Sequence, residues 1–342
     1  MELKLAGKKF DFFNSFTLDL KYDAVASAFA FSVYFNPDDA EHKTLMRPGG
    51  YKVAEVWHND ELLVKGYVLS HTFNHSAQKQ LASLAGYSTP GVLEDCEIPV
   101  SLYPLQSDGL TLKEIAQKLI KPFGIKMVID AAVSAAMDKQ YDVSNAKETQ
   151  TVKQYLTELA AQKNIVLSHT AAGSLLFTKA KTNLNPILDF NGSGIPSTSM
   201  SLSFSGQQMH STITVIKEAD AEGGNAGESP VSNPFVSLYR PKVVVQSSGT
   251  DIDTSQAAKT ALADELKNIK LTITTDRWEV DGKILKPNNI ITVTNPELFL
   301  YKKTRWFIES ISFAGDNKSN TATLTCVLPS VYDDSTPTNI FA

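Results

Sequence analysis

The residues able to do chemistry are few, and their spacing is uninformative. The six histidines are His42, His58, His71, His75, His169 and His210. Only His71 and His75, in Ser70-His71-Thr72-Phe73-Asn74-His75, stand close together. On a helix that spacing could chelate a metal. Here the context is strand-like, which places His71, Phe73 and His75 on one sheet face. No Cys or carboxylate stands at ligand spacing beside them, so the pair reads as polar residues on a sheet. A reactive thiol needs an electropositive, accessible setting. Cys326 falls on the apolar face of its strand, and Cys96 ends a strand-like run with no patterned His partner. Asp38-Asp39 and Glu94-Asp95 are adjacent carboxylates, which on a strand point to opposite faces and make no acid/base dyad. Lys302-Lys303 with Arg305, beside Trp306, reads as a solvated, protective edge. The chain has no Gly-x-Ser-x-Gly elbow, phosphate-binding Gly-rich loop or His-Glu-x-x-His. The sequence therefore nominates no catalytic, cofactor-binding or metal-ligating residue and no cofactor. It points towards assembly.

Composition agrees. At 342 residues the chain has room for two to four domains. Its 42% hydrophobic and 20% charged content is that of a globular protein. No apolar run is long enough to span a bilayer, so no membrane insertion is expected. The N-terminus shows no secretory pattern, and two cysteines do not make a disulfide framework. A formal net charge of −5 and no Lys/Arg run argue against a dedicated nucleic-acid grip. A mildly acidic protein could still surround DNA, because like charge keeps the polymer off the wall.

The best-patterned stretch is Thr111–His169, where one pattern is written twice. Thr111-Leu112-Lys113-Glu114-Ile115, Leu119 and Gly124-Ile125 are echoed by Thr151-Val152-Lys153-Gln154-Tyr155, Leu159 and Asn164-Ile165. Each copy opens with a capping box, continues at helical spacing and ends on a residue that tolerates the left-handed conformation. A short strand follows each, Ile125–Ile129 and Ile165–Leu167, and a turn at Ala171–Ser174 returns Leu175–Phe177. Around this α/β module the chain reads as β. Strands are expected at Phe29–Phe35, Tyr51–Trp57, Leu62–Leu69 and from Gln80 to Tyr87, with Trp57 in the core and a hairpin at Asn59-Asp60. Asn183–Ser205 is rich in Asn, Gly, Ser and Pro, and Met209–Ile216 resembles a strand. Ala219–Pro234 is small, polar and acidic and reads as a mobile loop. Beyond it come a strand at Val243–Val245, a helix capped by Asp253 or Thr254, strands at Leu271–Thr275 and Ile290–Val293, and a hairpin of Arg305–Phe313 with Thr321–Leu328. In the last strand Thr321, Thr323 and Thr325 share a polar face. The tail from Pro329 reads as loosely held.

The module also carries a resemblance. Gly86-Tyr87-Ser88, Val92-Leu93-Glu94-Asp95-Cys96, Thr111–Ala116, Leu119 and Pro122-Phe123-Gly124-Ile125 resemble the baseplate hub protein of Mu-like contractile phages. The second copy continues the likeness. It resumes at Tyr239-Arg240-Pro241, the Ala-rich helix, Trp278, Asp281-Gly282, Pro287-Asn288 and Val293. These segments cover about half the chain; the likeness weakens over residues 1–45 and after Pro296. Such hubs are similar to the T-even phage hub and to the N-terminal part of type VI secretion spike proteins.

The resemblance implies an α+β, β-rich fold with two small tail-tube-like β-barrels, an inserted α/β module and a flexible acidic loop. The expected boundaries are 1–104 for the first barrel (completed by strands within 186–217), 105–185 for the module, 218–238 for the loop, 239–330 for the second barrel and 331–342 for the tail. It further implies a structural, non-enzymatic hub. Three copies form a homotrimer that adapts the six-fold tail tube, or a tube adaptor, to a trimeric central spike, with baseplate wedge proteins nearby. DNA passes through the channel without specific binding. The site of action is the virion baseplate, after assembly in the host bacterial cytoplasm. Two alternatives stay open: the hub of a phage-derived injection or secretion particle, and a tail-tip cell-wall hydrolase. A secretion spike continues into a β-helical needle, and the end at Ala342 favours the phage-type hub. A glycosidase needs two carboxylates about 5–10 Å apart across a cleft, and none can be nominated.

Overall fold

The computed structural model describes residues 1–75, 81–103, 105–142, 145–147, 149–191, 197–217, 228–246, 253–316 and 318–342. It is β-rich, with helices in a few places, as the α+β reading expects.

The N-terminal region supplies β1 (Glu2–Leu5), β2 (Lys8–Phe10), β3 (Phe13–Lys21), β4 (Ala28–Tyr34), β5 (Val53–His58), β6 (Glu61–Asn74) and β7 (Leu81–Ser88), with α1 (Ala40–Leu45) between β4 and β5. Alternation fixes the faces: Phe29, Phe31 and Val33 of β4 are buried, while Ala28, Ala30 and Ser32 turn away from the core. α1 begins at Asp39, whose carboxylate accepts hydrogen bonds from the amides of Glu41 and His42 at 2.7 and 3.0 Å. β6 is 14 residues long. Its first part pairs with β5 as far as Tyr67, and its last part pairs with β7 alone. A register shift between Val68 and Ser70 marks the parting, and a bulge there bends the strand. Close by, a Cβ on Gly66 would stand 1.8 Å from the Tyr87 carbonyl oxygen, so only glycine lets β6 and β7 approach there.

The middle region supplies α2 (Val92–Asp95), α3 (Leu112–Ile120), β8 (Met127–Ile129), α4 (Ser134–Met137), α5 (Val152–Gln162), β9 (Val166–His169) and β10 (Leu175–Thr178). Both expected capping boxes form. Thr111 Oγ1 accepts from the Glu114 amide at 3.2 Å while the Glu114 carboxylate accepts from the Thr111 amide at 2.9 Å. Thr151 and Gln154 repeat the exchange at 3.2 and 3.0 Å. Gly124 and Asn164 take the expected left-handed φ, 65° and 53°. The strands of the two copies flank one central strand, since β10 pairs parallel with β8 and antiparallel with β9. Leu112, Ile115, Leu119, Val152, Tyr155, Leu156, Leu159 and Phe177 belong to a core of the module's own. The Val92–Cys96 run, read as strand-like, is instead the helical turn α2. Pro90 in the preceding 3-10 turn leads into it, and Leu93 alone in it is fully buried.

The remaining elements are β11 (Leu188–Phe190), β12 (Ser197–Phe204), β13 (Thr212–Lys217), β14 (Glu228–Ser232), β15 (Pro241–Gln246), α6 (Thr254–Leu266), β16 (Ile269–Thr275), β17 (Glu279–Val280), β18 (Lys283–Ile284), β19 (Ile290–Asn295), β20 (Leu300–Asp316) and β21 (Asn320–Val327). The acidic stretch divides. Residues 218–227 lie outside the described residues, whereas Glu228–Ser232 is a strand because β13 offers it an edge. The strands within 186–217 do not complete the N-terminal sheet: β11 pairs with β19, β12 with β16, and β13 with β14 and β15. The tail is docked rather than loose. The Tyr332 ring lies 4.9 Å from Phe307, and Phe341 meets Phe204 and Phe235 at 6.0 and 6.1 Å, apolar area that burial favours.

The two β-rich regions are continuous. One ladder runs β12-β16-β21-β20-β3-β4-β7-β6-β5-β1-β2, joined where β3 pairs with β20. Leu18, Phe31 and Leu84 from the first region share one hydrophobic core with Ile273, Phe313 and Leu324 from the second. Among the described residues the ladder does not close on itself.

Candidate functional site

The residues first considered for chemistry are occupied with structure. His71 stacks on Phe73 at 6.3 Å within β6, and His75 lies just past the strand. Burial lowers the His71 pKa, and no group of His, Cys, Asp or Glu among the described residues could hold a metal. Cys326 is fully buried, which pushes its thiol far up. Glu94 pairs with Lys153 at 2.6 Å, and Asp95 accepts from the Tyr87 hydroxyl. Lys303 pairs with Asp189 at 2.7 Å, and Arg305 donates to the carbonyls of Thr182 and Leu184 at 3.0 and 2.9 Å. That cluster ties β20 to the chain leading into β11 while Lys302, Lys303 and Arg305 stay exposed. Trp57, expected in the core, is half-buried on the outside with the Lys4 ammonium 4.3 Å above its ring. Strand alternation puts it on the side of Val53 and Glu55, away from the buried Ala54 and Val56, where its Nε1–H donates to Glu55 at 3.3 Å.

What the tertiary structure assembles is a face. From β6 through β7, β4, β3, β20, β21 and β16 to β12, eight strands lie side by side and every neighbouring pair is antiparallel. Their core sides hold Leu84, Phe31, Leu18, Phe313, Leu324 and Ile273. The registers fix what the other side presents. Thr72 lies opposite Ser83, Ser83 opposite Ser32, and Ser32 opposite Ser15. A second row runs Ser70, Ala85, Ala30, Thr17, Ala314 and Thr321. A third runs Ala28, Asp19, Ser312, Thr323, Thr274 and Ser199. A fourth runs Lys21, Ser310, Thr325, Thr272 and Ser201.

In these four rows the face is almost all Ser, Thr and Ala, with Asp19, Lys21, Lys270 and Asp316 as charges; Tyr87, opposite Ala28, and the exposed Tyr34, next after Ser32 in the alternation of β4, stand on the same side. Asp316 is held well below the usual carboxylate range by the amides of Lys318 and Ser319, which donate to it at 2.7 and 2.8 Å. Where β4, β3 and β20 meet, the face is hollowed into an open groove of about 390 Å³ lined by Thr17, Ala30, Ser32, Ala314 and Thr321 among others. In those rows such a surface offers short hydroxyls and few charges. It has little with which to hold a polymer.

Sequence reasoning found the Thr321, Thr323 and Thr325 face but missed β12. The signal was present: Ser199-Met200-Ser201-Leu202-Ser203-Phe204 alternates strictly. The Ser, Gly and Pro content around it concealed the pattern.

A second seam holds the module against the sheet. His169 Nδ1 lies 2.8 Å from the Ala24 carbonyl oxygen, so Nδ1–H donates there. His169 Nε2 lies 2.7 Å from Ser27 Oγ and accepts from it. Burial lowers the imidazole pKa. Further along, the Tyr332 hydroxyl sits 2.7 Å from Glu309 and 2.9 Å from Asp23. Burial, then the Asp23 charge, push the Glu309 carboxyl above its ordinary range.

The chain is thus a β-rich frame with a sparsely charged sheet face, its polar clusters committed to internal ties. Residues 90–179 match the family described as baseplate hub protein gp44-like, second domain. Along 96% of its length the chain is 21% identical to the baseplate hub protein gp44 of Escherichia phage Mu, covering 87% of that protein. Its fold is that of the 43 kDa tail protein of prophage MuSo2 from Shewanella oneidensis, with TM-score 0.81, 22% identity and coverage of 97% and 99% of the two chains. The tail protein of Neisseria meningitidis MC58 is similar too, with TM-score 0.77, 20% identity and coverage of 97% and 96%. The resemblance to the Mu-like baseplate hub therefore holds along the chain, and residues 90–179 match the model of that family's second domain. These relatives are a baseplate hub protein and tail proteins.

Proposed function

We propose that this chain is the structural baseplate hub of a contractile tail, three copies forming a ring around a channel for DNA. The observation that carries the reading is the eight-stranded Ser/Thr/Ala face. A wall along which a polyanion must slide should bind it nowhere, and short hydroxyls with few, mixed charges meet that need. The β1–β7 region and the β16–β21 region act as two tube-type units, so three copies give six units to meet a six-fold tube. The α/β module, residues 105–185, stands outside the ring as scaffold, and a three-fold spike meets the far rim. Baseplate location follows from that role.

Native mass spectrometry and light scattering of the purified protein test the ring. A trimer at micromolar concentration, or on addition of the cognate spike, is the expected result. A strict monomer under both conditions overturns it. Single-particle images of the trimer would show whether the Ser/Thr/Ala face lines the lumen.

A further inference from the structure

Two carboxylates converge on one hydroxyl where the C-terminal segment meets the sheet. The Tyr332 hydroxyl lies 2.7 Å from Glu309 Oε1 and 2.9 Å from Asp23 Oδ2. A phenol has one proton to donate, and its oxygen also accepts. It can therefore serve one ionised carboxylate, not two. We propose that Glu309, Tyr332 and Asp23 form a proton-operated latch for residues 329–342, closed when Glu309 carries a proton and eased when it does not. Closed, the Glu309 acid O–H donates to Tyr332 Oη while the Tyr332 O–H donates to Asp23, so each link has its own proton. Ionised, the two carboxylates compete for one O–H and repel each other across it.

Local structure puts the three groups together. Ile308 pairs with Cys326 and Ser310 with Thr325, so Glu309 is the extra residue of a bulge in β20, and a bulge re-aims a side chain. The Glu309 carbonyl accepts from the Tyr22 amide at 2.9 Å, which brings Asp23, just past β3, beside it. Pro329 opens the 3-10 turn Pro329–Val331, and the Tyr332 ring after it packs 4.9 Å from Phe307 and 5.4 Å from Tyr22. Those apolar contacts hold the hydroxyl between the two acids. Burial, then the Asp23 charge, hold the Glu309 carboxyl above its ordinary range, and burial keeps the Tyr332 phenol protonated.

The surrounding charges do not relieve the competition. Lys267, at the end of α6, lies 3.6 Å from Asp23 and 3.5 Å from Asp264, so its ammonium is shared with an acid outside the pair. Lys267 and Lys270 attract the Glu309 carboxylate less than burial and Asp23 oppose it. Cys326, across the β20–β21 ladder, is fully buried and stays a neutral thiol. Tyr22 stays protonated through burial and the charges of Asp23 and Asp130. Within the segment, Asp334 accepts from two neutral amides, Asn164 after α5 and Gln256 of α6. Lys153 and Lys179 of the module line the same cleft.

The latch reaches across the molecule. A cleft of about 430 Å³ lies between α5 and α6, and Tyr332 and Asp334 line it. Through Asp334 the segment ties the α/β module to α6, and through Phe341 it packs on Phe204 and Phe235. Easing the latch therefore loosens a strap over three parts of the chain. The folded value of Glu309 lies above the unfolded one. Its stabilisation of the docked segment is full below the ordinary glutamate value of 4.5 and is lost as pH rises through the raised folded value. His169, buried and neutral, acts in the opposite sense on the module's seam, so a readout local to the segment separates the two.

Hydrogen-exchange mass spectrometry of the full chain tests the latch. It is read as protection factors, corrected for intrinsic exchange, in peptides within residues 329–342 from about pH 4.5 to about pH 8. Wild-type protection should fall several-fold as pH rises. Glu309→Gln keeps the shape, removes the charge and leaves an amide that donates to Tyr332, so its protection should stay high and flat. Asp23→Asn, at a partly exposed position where the fold tolerates change, relieves the competition from the other side and should flatten the fall too. Circular dichroism checks that each variant is folded. Wild-type protection that does not change with pH overturns the latch, and so does a fall that persists undiminished in either folded variant. Neither outcome bears on the ring proposed above.

Discussion

Leu18 and Phe313 face each other across the ladder that joins β3 to β20, although they come from opposite ends of the chain. Both are fully buried, and they belong to one core. The two β regions are therefore coupled by a hydrogen-bonded seam and by packing beneath it. Trp278 reinforces the seam. Its ring meets Phe16 at 5.5 Å and Phe313 at 5.9 Å, and its Nε1–H donates to the Thr321 carbonyl at 2.9 Å.

Truncating Phe313 should damage both regions together. Phe313→Ala leaves a cavity under the seam and is expected to cost about 3–5 kcal/mol. Chemical denaturation should show a lower midpoint with β-sheet and tryptophan signals still falling together. Separate transitions would mean that the regions fold independently.

The duplicated caps give a smaller, additive effect. Thr111→Ala and Thr151→Ala each remove the side-chain acceptor of one helix start and should each cost about 1 kcal/mol. The sites cap different helices, so the double variant should lose about the sum. Denaturant midpoints of the three variants check this.

His169 should make the module's seam sensitive to mild acid. The neutral ring donates to Ala24 and accepts from Ser27, and burial holds its pKa below the ordinary value. The unfolded chain therefore takes up the proton first, at about pH 6.5. The stabilisation is present above that pH and is lost as pH falls through the depressed folded value. Lys21 and Lys286 line the same cleft and add no charge that would favour imidazolium. The melting temperature should drop between pH 7.5 and 5.5, and His169→Gln should flatten that dependence. An unchanged slope in the variant would show that other groups dominate.

Charge on the hydroxyl face should impair passage of DNA while sparing the fold. Ser312 and Thr323 are directly opposite on the side away from the core. Ser312→Lys with Thr323→Lys should change stability by about 0.5 kcal/mol or less per site and leave assembly intact. Particles carrying the pair should release DNA more slowly and show lower titre, since phosphates would pause on the wall. Wild-type release kinetics would argue against that face lining the channel.

Much was legible in the sequence because it is local. Thr111 and Thr151, three residues before Glu114 and Gln154, specify helix starts wherever the chain lies, and Gly124 and Asn164 specify left-handed turns after them. Alternation at Phe29–Val33 and Thr321–Cys326 assigned buried and outward faces without any partner strand. The likeness to the hub family was readable too. The tertiary structure alone decided what lies beside what. No local preference says that Thr17 faces Ala314, that β12 joins β16 rather than the N-terminal sheet, or that Lys303 seeks Asp189. Those follow from which edges remain unpaired and which apolar sides must share a core, both properties of the whole chain. The hydroxyl face, scattered along the sequence as single Ser, Thr and Ala residues, exists only once strand registry lines them up.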